Sequence, residues 1–191
     1  MLVLASASPR RRALLEDAGI ACRLLPAGVD EGIPAGTGAV AAATMLACRK
    51  ARAAAGALGT GPALVLGADT VVALDDGRIL DKPRDRAEAE SHLRALSGTT
   101  HSVVTGVCLL DVPGGAEEVF HAESRVTMRR LSDAEVRAYA DSGEGLDKAG
   151  GYAIQENGDR FVTRVDGSRS NVVGLPVEEV AARLAARGIR A

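Results

Sequence analysis

The sequence predicts a mixed α/β fold with a partly antiparallel sheet. Three observations carry that reading. Strand-like and helix-like segments alternate, yet neither as a strict β-α-β repeat nor as an all-strand pattern. Two strand segments, residues 101–111 and 117–130, flank Pro113-Gly114-Gly115 and should pair antiparallel. The Ala-rich stretch 39–58 is a long helix by propensity. A chain of 191 residues with 47% hydrophobic content forms one domain over 1–191, which at this size buries about 70% of its unfolded surface.

The elements follow in order. Residues 2–5 are a short apolar run, and Ser6-Ala7-Ser8-Pro9 then leads into RRRALLEDA, where Leu14, Leu15 and Ala18 recur at helical spacing. Strand, turn and helix are expected, with Gly19 as the stop. Residues 21–25 resume as a strand before the Gly- and Pro-bearing loop 27–38. Residues 63–66 form a strand of the buried type that runs into GADT at 67–70, where Gly67 favours a turn and puts Asp69 at the strand's end. Residues 71–74 continue apolar, and Asp76-Gly77 signals a hairpin. A helix over 85–96 precedes the antiparallel pair, whose second strand alternates at Phe120, Ala122, Val126 and Met128. Ser132 and Glu135 form a capping box for a helix to about residue 140, and a Gly- and Asp-rich loop leads to 152–155. Residues 161–165 are one more strand, Gly167-Ser168-Arg169-Ser170 a turn, and 177–187 a closing helix.

Composition excludes several function classes. The formal net charge of −2 supplies no global positive field, so no nucleic-acid partner is expected and any anion must be held locally. Aromatic content is 2% with no Trp, which leaves no stacking platform for single strands. Cys22, Cys48 and Cys108 are odd in number and lack CxxC spacing, which fits reduced, partly buried thiols. No apolar run approaches the roughly 20 residues that span a bilayer, and the N-terminal apolar stretch precedes its charges, the reverse of a secretory signal. A cytoplasmic protein with no membrane partner is the expectation.

Ser6, Ser8, Arg10 and Arg11 sit where a strand gives way to a helix, so hydroxyls, guanidinium groups and backbone N–H groups converge there. Cations at a helix N-terminus cost about 0.3–1 kcal/mol each, which a bound phosphate would relieve. A serine-capped surface helix with solvated arginines would show the same residues. Asp69 follows the apolar run ALVLGA, where an unpaired carboxylate is costly, so it reads as a ligand or a base. Glu31 could supply a second carboxylate for Mg²⁺. Lys50, Lys82 and Lys148 lie near these segments and suit phosphate oxygens, as surface lysines generally can. His92, His101 and His121 lack metal-ligand spacing. There is no GxxxxGK[ST] loop, GxGxxG fingerprint, HExxH or GxSxG motif.

Together these segments resemble the Maf nucleotide pyrophosphatases over nearly the whole chain. The matching motifs, in order, are LASASPRRRALL at 4–15, GADTVV at 67–72, DKPRD at 81–85, LSG at 96–98, DKAG at 147–150, YAIQ at 152–155 and NVVGLP at 171–176. The resemblance implies an elongated mixed sheet flanked by helices, similar to the inosine triphosphate pyrophosphatase fold, with a central cleft. It implies hydrolysis of a nucleoside triphosphate to the monophosphate and pyrophosphate. Asp69 would be the proton acceptor, Glu31 and Asp69 would hold a divalent metal, Mg²⁺ or Mn²⁺, and Ser6, Arg10, Arg11, Lys50 and Lys82 would grip the triphosphate. Arg10, Thr70 and Gln155 are similar to the base-selecting positions of members that act on dTTP and UTP. A homodimer is implied as well. Two departures, the charged ENGDR at 156–160 and Arg169 where an aromatic is frequent, bear on base preference. The rival readings are a pyrophosphatase for another non-standard nucleotide such as 7-methyl-GTP, and a non-catalytic nucleotide sensor in cell division.

Overall fold

The runs 63–73 and 100–112 become strands buried along almost their whole length because helices cover both faces of one sheet. The computed structural model describes residues 1–59 and 61–189. In chain order these give β1 (Leu2–Leu4), α1 (Pro9–Asp17), β2 (Arg23–Leu24), α2 (Ala39–Ala57), β3 (Ala63–Ala73), β4 (Ile79–Leu80) and α3 (Arg86–Leu96). Then follow β5 (Thr100–Val112), β6 (Glu117–Met128), α4 (Asp133–Ser142), 3-10 turns at Ala149–Gly151 and Asn157–Phe161, β7 (Val162–Asp166), α5 (Arg169–Val173) and α6 (Val177–Ala186). The strands lie in the order β2-β1-β3-β5-β6-β7, with β4 on the edge of β3. β2, β1 and β3 run parallel, and the remaining pairs are antiparallel. The sheet is thus mixed, as the element order predicts.

β3 shows how the faces are divided. Leu64, Leu66 and Ala68 pack with Leu15 of α1 and Val180 and Leu184 of α6, whereas Ala63 and Val65 pack with Ala47, Ala51 and Ala54 of α2. The period of two places Gly67 and Asp69 on the α2 face. That face is very close to its helix: a Cβ at Gly67 would overlap the Ala47 carbonyl oxygen, and one at Gly106 of β5 would overlap the Ala43 backbone. A second apolar cluster beneath α3 and α4 joins Val72, Leu93, Val103, Tyr139, Tyr152 and Phe161.

Four readings are corrected. Asp69 is not at a strand end: β3 runs unbroken through it, and Asp69 pairs with Gly106. Gly67 therefore marks the approach of a helix, not a turn. Residues 21–25 shorten to the two-residue β2. Gly167–Ser170 holds no simple turn but the start of α5, with Ser168 as N-cap accepting from Asn171 N. No helix among the described residues is long and apolar enough to cross a membrane.

His101 is wholly buried, its Nε2 2.8 Å from the Tyr152 hydroxyl. Burial, then the Arg125 charge, pushes its pKa down to about 4 from the ordinary 6.5. Between those values the unfolded chain binds a proton that the folded chain refuses, so stability is complete above pH 6.5 and is lost as pH falls toward 4. The expected loss by pH 4 is about 3 kcal/mol. Urea unfolding should show that extra acid sensitivity relative to His101→Gln. Equal pH dependence in the two proteins would contradict it.

Candidate active site

β1 covers one edge of β3 only along Leu64–Leu66, and β4 takes up the same path only from Val72. Between them the edge at 67–71 is open, and a cleft of 340 Å³ lies there. Its rim is supplied by the residues that follow the strands: Ser6 and Ser8 after β1, Pro26 and Ala27 after β2, and Lys82 after β4. Ligands in open α/β sheets collect at such carboxyl ends. Pro9 opens α1 and Ser8 caps it by accepting from Arg11 N at 3.5 Å, so the positive end of α1 borders the cleft.

At the centre, Lys50 Nζ lies 2.5 Å from Asp69 Oδ1 and 2.6 Å from Glu31 Oε1. The lysine and aspartate side chains are only 11% and 12% exposed, so solvent screens this pair weakly. Lys50 reaches Asp69 because the α2 face that packs on β3 carries it there. Hydrogen bonding to Lys50 and the nearby Lys82, whose Nζ is 3.7 Å from Glu31 Oε2, hold the Glu31 carboxyl below its ordinary range despite partial burial. Partial burial and then the Asp69 charge, with Glu31 contributing, hold Asp81 above its range. Asp81 belongs to the matched DKPRD segment, but the sequence gives no sign that it lies within the field of the other two carboxylates.

Glu31 and Asp69 thus aim hard oxygen donors at one point, which an ammonium occupies. That donor set suits a divalent cation of the Mg²⁺ or Mn²⁺ kind. A different group, Cys48, Cys108 and Glu117, is also close enough to hold a metal ion, and it lies where α2 crosses β5. There Arg52 takes both Glu117 oxygens at 2.6 Å, and burial pushes the Cys108 thiol up to about 12, so the thiol is protonated at neutral pH.

Ser6, Arg10, Arg11, Glu31, Lys50, Asp69, Thr70, Lys82 and Gln155 all line this one cleft. Their availability differs. Arg11 is buried and spends its donors on the protein: Nε on Gly174 O at 2.7 Å, one terminal nitrogen on Ser6 Oγ at 3.1 Å and the other on Thr70 Oγ1 at 2.9 Å. Burial lowers its pKa, with the Asp69 charge opposing. Thr70 Oγ1 also lies 2.9 Å from Thr105 Oγ1. Arg11 and Thr70 therefore tie α1 to β3 and to the end of α5. Lys82 keeps an exposed head, and the half-buried Arg10 meets Asp147 at 3.2 Å across the cleft.

Sequence reading did not find several lining residues. Val72, Val103, Tyr152, Ile154 and Val172 give the cleft an apolar wall. Gly174 enters because α5 ends there, and α5 is pinned by buried Asn171, whose Nδ2 donates to Val103 O at 3.0 Å and Ser124 Oγ at 2.9 Å. The usable signal was Ser168 three residues before Asn171, with Gly174 as the stop.

The family model described as Maf-like protein matches residues 1–187. A protein of Pelotomaculum thermopropionicum is 47% identical, covering 94% of this chain and 93% of its own length. One of Moorella thermoacetica is 46% identical over 98% and 95%, and one of Myxococcus xanthus 49% identical over 99% and 93%. All three bear the name dTTP/UTP pyrophosphatase. Among solved structures, that of the Staphylococcus aureus Ham1 protein matches at 17% identity with a TM-score of 0.38, over 66% of this chain and 71% of that one.

Proposed function

This chain belongs to the Maf-like protein family, and on that footing we propose that it hydrolyses dTTP and UTP to the monophosphate and pyrophosphate. The carrying observation is the convergence of Glu31 and Asp69 on one cationic point inside a cleft that also presents Ser6, Arg10 and Lys82. A volume of 340 Å³ falls within the roughly 300–1,000 Å³ of small-ligand sites.

Asp69 accepts the proton of the attacking water, since it lines the cleft with an oxygen held beside the Lys50 ammonium. Water then adds across the anhydride between the α and β phosphates. Lys50, Lys82 and Arg10 face the phosphates and offset the charge that develops, while Ser6 offers a hydroxyl. Arg11 acts one step behind, fixing Ser6 and Thr70. Glu31 and Asp69 would hold Mg²⁺ or Mn²⁺, which when bound neutralises phosphate oxygens. For the base, Thr70, Arg10 and the Gln155 amide are the selecting groups, an amide offering both a donor and an acceptor to the O4 and N3–H edge of a pyrimidine. A cytoplasmic homodimer, with one catalytic domain per chain, completes the reading, and light scattering of the purified protein checks its stoichiometry.

The test is pyrophosphate release with Mg²⁺ or Mn²⁺ across dTTP, UTP, CTP, GTP, 7-methyl-GTP and ITP. Preference for dTTP and UTP, abolished by EDTA and restored by the metal, is the expected result. Release of orthophosphate in place of pyrophosphate, or unchanged turnover in EDTA, would overturn the reaction or the metal requirement respectively.

A further inference from the structure

The cleft wall opposite α1 is built from one stretch of chain after α4, and a single carboxylate organises it. Glu144 Oε1 accepts from the Tyr139 hydroxyl at 2.8 Å and from Gly158 N at 3.3 Å, while Oε2 accepts from Asn157 Nδ2 at 2.8 Å. Its backbone carbonyl takes Lys148 Nζ at 2.5 Å. The Tyr139 hydroxyl in turn accepts from Ala153 N at 3.0 Å. Tyr139 is itself fixed: it is 2% exposed, and its ring meets Phe161 edge-on at 5.1 Å between centroids.

Both ends of the segment 153–158 therefore hang on Glu144, Ala153 through Tyr139 and Gly158 directly. Ala153, Ile154 and Gln155 line the cleft, whereas Glu144 is not among the lining residues. Gln155 is exposed, so its reach toward a ligand is set by where its backbone is held. The segment carries the charged Glu156 and runs on into Asp159 and Arg160, and an exposed loop of that kind would otherwise be free to move.

We propose that Glu144 is a positioning residue for base selectivity, holding the 153–155 wall at the distance from which the Gln155 amide can discriminate pyrimidines. This rests on the dTTP/UTP reading for its substrate and on the hydrogen bonds above for its geometry. A group that merely stabilised the fold would, when removed, depress turnover of all nucleotides alike. A positioning group changes the ratio between them.

The experiment uses the full-length protein as Glu144→Ala, Glu144→Gln and Tyr139→Phe, with dTTP and CTP as the compared nucleotides. In Glu144→Ala the ratio of kcat/KM for dTTP over CTP should fall about tenfold through KM, with kcat for dTTP within about threefold, as expected for a lost, partly buried hydrogen-bond acceptor. Glu144→Gln keeps one acceptor oxygen and should retain most of the ratio. Tyr139→Phe keeps the buried ring, remains usable if Glu144→Ala does not fold, and should be non-additive with it. Amide exchange at Ala153 and Gly158 should rise in both. An unchanged dTTP-to-CTP ratio, or exchange that stays slow at both amides, overturns the proposal. If the parent protein releases pyrophosphate from no nucleotide, the function reading has failed. The anchor is then judged on amide exchange and on the dTTP-to-CTP ratio of dissociation constants by calorimetry, where an unchanged ratio rejects it.

Discussion

Asp69→Asn is expected to fold as the parent does and to release pyrophosphate about 10²–10⁴-fold more slowly, the usual loss when a general base is removed. Folding survives because the amide still accepts from Lys50, and because Lys50 keeps Glu31 at 2.6 Å and is not left as a buried orphan charge. Asn fills the space of Asp on β3, so no cavity opens on the α2 face. The amide cannot take a proton from water and is a poorer metal ligand, so two roles disappear with one oxygen charge. Thermal unfolding together with single-turnover pyrophosphate release separates the two effects. A well-folded Asp69→Asn protein working within about threefold of the parent would remove Asp69 from the reaction.

Much of this site could be read from the chain because its residues occur in places with a local cost. A carboxylate after ALVLGA and arginines at the start of a helix are unfavourable unless something pairs with them, so they announce a ligand or a partner. What could not be read is which partner each finds. Arg10 and Arg11 are adjacent and equally basic, yet Arg11 is buried against Gly174, Ser6 and Thr70 while Arg10 faces Asp147, 137 positions away in sequence. Such long-range pairing depends on the packing of α1 against α5, and α5 itself is too short to leave a periodic signal. The antiparallel β5–β6 pair was legible because alternation and a Pro-Gly-Gly turn are local. Glu144 left no trace, since its three donors come from residues 139, 157 and 158 and meet only in the folded loop.

Gly67 carries the second large effect, because the same glycine that favours a turn in the sequence turns out to admit a helix. Gly67→Ala should destabilise the protein by about 2 kcal/mol or more, although two effects oppose each other. Gly67 is not among the glycines with positive φ, so alanine is compatible with the backbone and would gain about 0.4–1 kcal/mol by restricting the unfolded chain. Against that, the new Cβ would overlap the Ala47 carbonyl oxygen and crowd Ala51 N. Overpacking costs about 1–3 kcal/mol where side chains can rotate away, and here the obstacles include backbone atoms of α2 that cannot. The clash wins, and in a protein with a typical total stability of about 5–15 kcal/mol it is a large fraction. Relief requires α2 to move outward, carrying Lys50 away from Asp69, so turnover should fall even at temperatures where the variant remains folded. Urea midpoints and activity at low temperature check both consequences. A Gly67→Ala protein as stable and as active as its parent would mean that α2 does not hold Lys50 against β3 at this distance, and the assignment of Lys50 to Asp69 would fall with it.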